Sequence, residues 1–283
     1  MSGNEQVILV TGANRGIGYE AVKFLSQQLP NGVILLGSRS LGNGQDAIKK
    51  MQESQSSHKF DNVKVVEVDI SSETSLKKAV AEVSDKYGKL DVLLHNSGIS
   101  QAEGDSLSRK ILDVNVTNAR DAILAFLPLI PKNGSVVVVS SEVGSWNMST
   151  QTEDLRNRLN DPKQNSWDKV HALLEDWVSF SRDGKHTENW PALSMPTGAY
   201  CTSKSLLTAW LRNFASEHAE IQLAIVCPGY CATDLNNNSG PRHASLGGES
   251  VSWPILNKFE TGQFYQDGAK HPFIMNVPDW LEH

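Results

Sequence analysis

The feature that most constrains this sequence is a short apolar run that opens into a glycine-rich turn. Residues 7–10 read VILV, an uninterrupted run typical of a strand buried on both faces of a parallel sheet. Residues 11–18 read TGANRGIG, and apolar residues then recur at helical spacing. Glycines allow a tight turn close to a pyrophosphate, and the N-terminus of the following helix presents free N–H groups to it. The order of strand, glycine turn and helix therefore predicts a dinucleotide-binding site.

Short apolar runs alternate with helical segments along the chain. Strand-like runs recur at 33–36, 63–68, 90–94, 136–139 and 222–226, and helical periodicity is found in 45–55, 75–87 and 110–127. This alternation predicts an α/β fold built on a doubly wound parallel sheet. Ligands bind beyond the carboxyl ends of the strands in such sheets. The residues that this sequence places along that rim are Gly12, Arg39, Asp69, Asn96, Ser140 and Ser141.

The composition of the 283 residues fits a single globular domain spanning 1–283. The net charge is −6 without any basic run, and no apolar run approaches the length of a membrane span. The polar start of the chain lacks a secretion signal, and the three cysteines form no zinc pattern. We therefore expect a cytoplasmic protein with reduced thiols, no metal, and no nucleic-acid or membrane partner.

The end of the second strand indicates which cofactor is used. Residues 37–40 read GSRS, so Arg39 stands where an NAD-binding site usually offers a carboxylate to the adenosine ribose. With Arg15 in the glycine turn, two guanidinium groups are available to a 2′-phosphate, which favours NADPH over NADH. The alternative is that both arginines are merely solvated. Asp69, after the third strand, is suited to cap the next helix or to hydrogen-bond an adenine.

Tyr200 and Lys204 lie four residues apart in a segment with helical periodicity, so their side chains share one helix face. A cation about 5 Å from a phenol, at an effective dielectric of about 20, favours the phenolate by roughly 3 kcal/mol, or about two pKa units. The pair is therefore suited to acid–base chemistry at neutral pH. An amphipathic helix with a solvated lysine has the same spacing, so the pair alone does not distinguish an acid–base site from an ordinary surface helix.

Six motifs stand in the order found in the short-chain dehydrogenase/reductase superfamily. They are TGxxxGxG at 11–18, NSG at 96–98, Asn115, SxxG at 141–144, YxxxK at 200–204 and PG at 228–229. The sequence resembles this superfamily from residue 7 to about residue 267, and the resemblance implies a Rossmann-type fold of three αβα layers. Two departures stand out: His95 occupies the place of the family's first asparagine, and Ser97 that of its alanine. We interpret His95 as a local polar substitute.

The resemblance also implies roles for individual residues. Tyr200 is the implied general acid or base, and Lys204 is implied to hold the nicotinamide ribose and to lower the pKa of the tyrosine. Ser141 is assigned to the substrate carbonyl and Asn115 to a proton-relaying water. Ser141 is chosen over Ser140 because the catalytic serine of the family precedes a glycine by three residues. The implied cofactor contacts are Gly12, Asn14, Arg15, Gly16, Ile17, Gly18, Arg39, Asp69, Ile70, Asn96, Gly98, Tyr200, Lys204, Pro228, Gly229 and Thr233.

Between Ser141 and Tyr200 the chain is much longer than in most members of the superfamily, which indicates a helical insertion at about 146–196. Thr150 and Glu153 have the spacing of a capping box, and Asp161-Pro162 resembles a helix cap followed by proline. Apolar residues in 167–178 form one helix face. A comparable insertion in the monomeric NADPH-dependent carbonyl reductase branch, including its plant ketone-reducing relatives, implies a monomer. The alternative is that this apolar helix forms a subunit interface.

The region after the sixth strand is rich in Asn, Gly and Ser, which predicts a mobile substrate lid at about 235–260. A last helix from Trp253 and a final strand at 262–265 are expected. The candidate apolar walls of the pocket are Trp146, Met195, Tyr230, Leu235 and Trp253.

Together these features predict NADPH-dependent reduction of a small ketone or aldehyde, with Tyr200 as the general acid and NADP+ as the spent cofactor. Two alternatives remain: the same site run as an alcohol dehydrogenase in the oxidative direction, and a catalytically silent NADP(H)-sensing regulator. The sequence sets neither the substrate nor the direction.

Overall fold

The computed structural model describes residues 5–55, 57–101 and 107–279. Within them an eight-stranded sheet has the order β3-β2-β1-β4-β5-β6-β7-β8. The first seven strands are parallel, and β8 pairs with β7 in the antiparallel direction. The strands are β1 (Val7–Val10), β2 (Val33–Ser38), β3 (Val63–Glu67), β4 (Val92–His95), β5 (Ser135–Val139), β6 (Gln222–Val226), β7 (Gln263–Gln266) and β8 (Ala269–Lys270). The predicted doubly wound parallel sheet is confirmed.

Helices cover both faces of this sheet. In chain order they are α1 (Gly16–Gln28), α2 (Leu41–Ser54), α3 (Glu73–Tyr87), α4 (Leu107–Leu112), α5 (Asn118–Phe126), α6 (Glu142–Thr150), α7 (Glu153–Asn160), α8 (Trp167–Asp183), α9 (Ala199–Glu217) and α10 (Ala244–Leu256). Short 3₁₀ segments lie at Leu127–Leu129, Pro162–Gln164 and Asp234–Asn236. Among the described helices, none is long and apolar enough to cross a lipid bilayer.

The apolar strand runs are explained by two cores, one on each face of the sheet. Leu9 and Leu93 pack into one core, and Ile8, Val10 and Leu94 pack into the other. Because successive side chains of a strand point to opposite faces, a strand covered on both sides must be apolar at every position.

The strand order reverses beside β1, which lies between β2 and β4. In such sheets a crevice forms at this reversal, beyond the carboxyl ends of the strands. The backbone N–H of Thr11 continues the pairing by donating to Leu94 O at 3.0 Å. The Asn96 Nδ2 amide then donates to Thr11 O at 3.0 Å and to Gly12 O at 3.1 Å. The glycine turn is therefore fixed in place by the loop that follows β4.

The predicted continuous helix at 110–127 is interrupted. A π-helical turn, Asp113–Thr117, separates α4 from α5 and contains Asn115. Such a turn accommodates one extra residue, so the helical periodicity of the flanking sequence does not reveal it. It is frequently found at functional sites.

The segment predicted as a helical insertion contains α7 and α8, and the structure corrects one of its predicted caps. Thr150 is the last residue of α6, and its hydroxyl donates to Asn147 O at 2.8 Å. Helix α7 begins after Thr152 instead, so the predicted capping box at Thr150 is wrong. Asp161 caps the Pro162–Gln164 segment as expected, with its carboxylate accepting from Lys163 N.

The apolar face predicted at 167–178 is buried inside this chain. Its members pack into the same core as α9: Val170, Leu173, Leu174, Trp177 and Val178. Trp167 is partly exposed, packs edge to face against Trp210 at 6.2 Å between ring centroids, and lies under the Arg120 guanidinium. Helix α8 thus completes the core of its own chain.

Ala244–Leu256, within the predicted lid at 235–260, forms helix α10 instead of a loop, and the role of this segment as a mobile lid stays a prediction. This helix packs closely on α1, and a Cβ on Gly248 would lie 2.7 Å from the backbone carbon of Glu20. The small residues that suggested a loop are required by this close packing. The last helix does not start at Trp253, which lies within α10, and the final strand is confirmed as β7.

Candidate active site and cofactor cleft

A cleft of about 610 Å³ lies beyond the carboxyl ends of the central strands. The glycine turn, the loops after β2, β3 and β4, and the segment after β6 all contribute to it. Its volume is in the range of small-molecule sites. The predicted cofactor contacts that line it are Gly12, Asn14, Arg15, Gly16, Ile17, Arg39, Asp69, Ile70, Asn96, Gly98 and Thr233.

The glycine turn requires its glycines at two positions for backbone reasons. Gly12 and Gly16 have φ values of +63° and +59°, which other residues rarely adopt. A Cβ on Gly12 would also lie 2.8 Å from Ser97 Oγ. Gly18, also a predicted contact, does not line the cleft. A Cβ there would lie 2.5 Å from Asn96 Nδ2, so Gly18 allows α1 to pack behind the turn.

Two guanidinium groups, those of Arg15 and Arg39, line the same cleft. Arg15 Nη1 lies 3.6 Å from Asp234 Oδ2, and both side chains are exposed. A pair this long and this exposed is weak, which leaves Arg15 available to an anionic ligand.

Asp69 lines the cleft, but it does not cap the next helix. Its Oδ1 accepts from the backbone N–H of Ser71 at 2.9 Å and from the Ser71 hydroxyl at 2.6 Å. The cap of α3 is Ser72, whose hydroxyl accepts from Ser75 N at 3.3 Å. The capping role proposed for Asp69 is therefore wrong, and the adenine contact stays a prediction.

Tyr200 lies in the first turn of α9 and hydrogen-bonds to Ser141 at the end of β5. Ser140 points elsewhere: its hydroxyl lies 2.8 Å from Thr208 Oγ1 and is buried. The alternation of side chains at a strand end accounts for this difference. The structure thus brings Ser141, and not Ser140, to the tyrosine.

Lys204 is buried one helical turn after Tyr200. Its Nζ donates to Val139 O at 3.0 Å and lies 5.8 Å from the centroid of the Tyr200 ring. Burial lowers the pKa of Lys204 to about 8. At pH 7 the side chain is therefore still mostly an ammonium ion.

The expected lowering of the pKa of Tyr200 is not found in this structure. Burial raises the pKa of the phenol above its usual value, and the hydrogen bond from Ser141 opposes this only in part. Desolvation disfavours the charged phenolate and sets the direction of this shift. The phenol is therefore protonated at neutral pH, which is the form that a general acid requires.

Asn115 is buried in the π-helical turn, and its side-chain amide is fully used. Its Nδ2 donates to Ile99 O at 2.8 Å and to Ser203 Oγ at 3.0 Å, and its Oδ1 accepts from Ile99 N at 2.9 Å. Asn115 therefore ties the loop after β4 to the helix that carries Tyr200 and Lys204. The proton-relay role implied for it stays a prediction.

The cofactor cleft and the tyrosine group meet at Gly98. This glycine lines the cleft, and a Cβ on it would lie 3.1 Å from Asn115 Oδ1 and 3.8 Å from Lys204 Nζ. Lys204 Nζ therefore lies close behind the cleft wall at Gly98.

Pro228 and Gly229 do not line the cleft. Gly229 has a φ of +77°, and a Cβ on it would lie 3.0 Å from the Arg242 Cδ atom. The cofactor contacts expected of these two residues stay predictions. Burial raises the pKa of both Cys201 and Cys227 to about 12, so these thiols stay protonated.

Sequence reasoning missed part of the cleft wall. Arg109 lines the cleft and also joins α4 to the insertion: its Nε lies 2.8 Å from Asp113 Oδ1, and its Nη1 lies 2.7 Å from Glu175 Oε2. The position of Asp113 beside Asn115 was an available signal, but the π-helical turn hid which side chains face the cleft. The other missed lining residues are Val68, Ser71, Ser97, Ile99, Gln101, Lys110, Val114, Asn118 and Asp234, and the predicted pocket wall Leu235 also lines the cleft.

Exposed apolar side chains lie in the segments that precede α9 and follow β6, and on helix α10. They are Leu193 and Met195 before α9, Tyr230 and Leu235 after β6, and Leu246 on α10. Of the other candidate pocket walls, Trp146 is buried and Trp253 packs against Tyr265 at 5.5 Å between ring centroids.

Known proteins are similar to this chain in sequence and in fold. The family model for short chain dehydrogenase matches residues 6–152. (+)-Neomenthol dehydrogenase of Capsicum annuum is 27% identical over 86% of this chain and 89% of its own. Carbonyl reductase (NADPH) 1 of Mus musculus is 28% identical over 96% of this chain and 100% of its own. The structure of salutaridine reductase from Papaver somniferum superposes with a TM-score of 0.81 at 24% identity, covering 92% of this chain and 99% of that one.

Proposed function

Because the chain belongs to the short-chain dehydrogenase family, and is therefore an oxidoreductase, we propose that it reduces a ketone or aldehyde to an alcohol with NADPH. The observation that carries this proposal is the group formed by Tyr200, Ser141 and Lys204, whose lysine Nζ lies 3.8 Å from the place of a Cβ on Gly98, a residue that lines the cofactor cleft. A protonated phenol hydrogen-bonded to a serine is suited to hold and protonate a carbonyl oxygen.

The cleft fits a nicotinamide dinucleotide, since it has a volume of about 610 Å³ and is lined by the glycine turn that precedes α1. When bound, NADPH supplies the hydride for the carbonyl carbon. The Ser141 hydroxyl donates a hydrogen bond to the carbonyl oxygen, and the Tyr200 phenol gives that oxygen a proton as negative charge develops on it. The Lys204 ammonium favours the phenolate that remains after the transfer.

Preference for NADPH is supported by the two cationic side chains in the cleft. Arg15 and Arg39 line it together, and no described carboxylate pairs with Arg39. Guanidinium groups bind phosphate strongly because they offer several donors in one plane. A 2′-phosphate therefore has two donors available here.

We infer that the substrate is a bulky and mostly apolar carbonyl compound. The exposed apolar side chains on the loops around α9 and β6 support this class, since apolar surface at a site's rim favours apolar ligands. Relatives named for neomenthol and salutaridine are consistent with it.

We also propose that the protein is a monomer. The burial of the α8 apolar face within its own chain supports this, because the face is then not available to a second subunit. A cytoplasmic location stays a prediction.

The test follows NADPH absorbance with purified protein and a panel of cyclic ketones, quinones and short aldehydes. We expect turnover that is fastest with the bulky apolar ketones. NADPH binding without turnover on any carbonyl or alcohol would instead support the silent regulator, and turnover only with alcohols and NADP+ would support the oxidative alternative.

A further inference from the structure

Helices α6 and α9 carry the residues of the candidate site, and they are in direct contact. Ser141 is the N-cap of α6, whereas Tyr200 and Lys204 lie in the first two turns of α9. A Cβ on Gly144 of α6 would lie 2.8 Å from the backbone carbon of Lys204, so no side chain separates the helices there. The place of the serine hydroxyl relative to the phenol therefore depends on how α6 sits against α9.

Asn147 lies on the same face of α6, three residues after Gly144, and only 1% of it is exposed. Its Nδ2 donates to Pro196 O at 2.9 Å and to Thr202 Oγ1 at 3.2 Å. Its Oδ1 accepts from the Ser205 hydroxyl at 2.6 Å. One buried amide thus joins α6 to the residues before α9 and to two residues within it.

The partners of this amide fix its orientation. A backbone carbonyl can only accept, so Pro196 O requires the NH2 end of Asn147. The Thr202 hydroxyl donates to Thr197 O at 3.2 Å, which leaves its oxygen to accept from the same NH2 group. The oxygen end of the amide then meets the Ser205 hydroxyl, which can donate. Both N–H groups and the oxygen of Asn147 therefore have partners.

We propose that Asn147 is a positioning residue that fixes α6 against the start of α9 and so sets the Ser141 hydroxyl against the Tyr200 phenol. The partners of its amide, at 196, 202 and 205, lie on both sides of the tyrosine along the chain. A shift of the tyrosine relative to α6 would stretch one of these bonds. Asn147 does not line the cofactor cleft, so it acts on the geometry of the serine and the phenol and not on cofactor binding. This inference rests on the proposed function, but the contact between the helices does not depend on any activity.

Asn147→Ala removes the amide, and Asn165→Ala is its matched control. Asn165 is also fully buried, and its Nδ2 lies within 3.0 Å of the carbonyl oxygens of Arg158, Leu159 and Asp161, all in the insertion. Both variants lose a buried, hydrogen-bonded amide, so both should have a lower thermal midpoint. Well below these midpoints, only Asn147→Ala should lose kcat, by about 10- to 100-fold, with the Kd for NADPH within about twofold of the wild type.

Two milder substitutions at Thr202 distinguish hydrogen bonding from packing. Thr202→Val keeps the volume of the side chain but loses the hydroxyl that accepts from Asn147. Thr202→Ser keeps the hydroxyl and loses a methyl group. We expect kcat to fall about fivefold in Thr202→Val, as for the loss of one buried hydrogen bond, and to stay within about twofold in Thr202→Ser. If this contact served packing alone, Thr202→Ser would be the more impaired variant.

Crystal structures complete the test, and we expect Ser141 Oγ to lie beyond hydrogen-bond distance of the Tyr200 phenol in Asn147→Ala. A wild-type kcat in Asn147→Ala would overturn the inference, and so would an equal loss of kcat in Asn165→Ala. If Asn147→Ala does not fold, the Thr202 variants decide, and a greater loss in Thr202→Ser would overturn the inference.

The proposed function can fail separately from this inference. If the wild type turned over no carbonyl compound, the proposed function would fail, while the crystal structures would still test the positioning. An unchanged contact between Ser141 and Tyr200 in the structure of Asn147→Ala or Thr202→Val would then overturn the inference.

Discussion

At the scale of single residues, the environment of each titratable group sets its chemistry. The spacing of Tyr200 and Lys204 predicts that they lie close together, and the structure places the ammonium 5.8 Å from the ring centroid. The spacing does not report burial, which raises the pKa of the tyrosine and lowers that of the lysine. Desolvation depends on the whole fold, so the local sequence could not predict the direction of either pKa shift.

The pH dependence of reduction should report Lys204. Its pKa is lowered to about 8 by burial, so it is charged below pH 8 and loses its proton above it. The pKa of Tyr200 is raised, so the phenol stays protonated across this range. We expect kcat/KM for the carbonyl substrate to fall as pH rises through about 8. Lys204→Arg keeps its charge, so its kcat/KM should not fall near pH 8. A wild-type kcat/KM that stays level up to about pH 10 would contradict the assignment of this fall to Lys204.

Arg39 should decide between the two nicotinamide cofactors. Loss of a charge-assisted contact of about 1.5–3 kcal/mol predicts that Arg39→Ala lowers kcat/KM for NADPH by about 10- to 100-fold and leaves NADH use unchanged. Arg182→Ala is the matched control, because Arg182 is exposed near the far end of α8 and pairs with Asp183. Equal losses with both cofactors would remove Arg39 from the 2′-phosphate site.

At the scale of elements, the sequence predicts the strands and helices whose hydrophobic pattern is local. The strands β1 and β6 and the apolar face of α8 have the predicted residues, because burial on a sheet or helix face leaves a clear periodicity. The π-helical turn at Asp113–Thr117 was missed, and helix α10 was predicted to begin at Trp253 instead of Ala244. The π-helical turn adds a residue without a sequence signal. Helix α10 uses glycine for close packing on α1, and this glycine content makes its sequence resemble that of a loop. The two-residue strand β8 is too short to show any period.

The α8 face should contribute strongly to stability. Leu174 is fully buried in the core shared with α9, so Leu174→Ala should lower the free energy of unfolding by about 2–5 kcal/mol. Lys169→Ala, on the exposed side of the same helix, should change it by less than about 0.5 kcal/mol. Urea unfolding measures both, and a small effect at Leu174 would show that α8 is not part of the core.

At the scale of the whole molecule, the insertion and the site form one structure. Helix α8 covers α9 on one side, and Arg109 connects the cleft wall to Glu175 on the insertion. The residues of the candidate site were predictable because six motifs together identify a family, whereas the substrate depends on loops whose side chains are set by tertiary packing.

A single-chain mass is expected in solution. The apolar face of α8 is buried within its own chain, so light scattering at working concentration should give the mass of one chain for both the wild type and Lys169→Ala. A dimeric or tetrameric mass in both would contradict the monomer.

The central claim is that Tyr200 protonates the substrate oxygen beside a bound NADPH. The most direct measurement compares Tyr200→Phe with the wild type in the NADPH absorbance assay, together with NADPH binding by calorimetry. Removing the phenolic proton should lower kcat by about 10²- to 10⁴-fold and leave the Kd for NADPH within about twofold. Wild-type turnover in Tyr200→Phe would contradict the account.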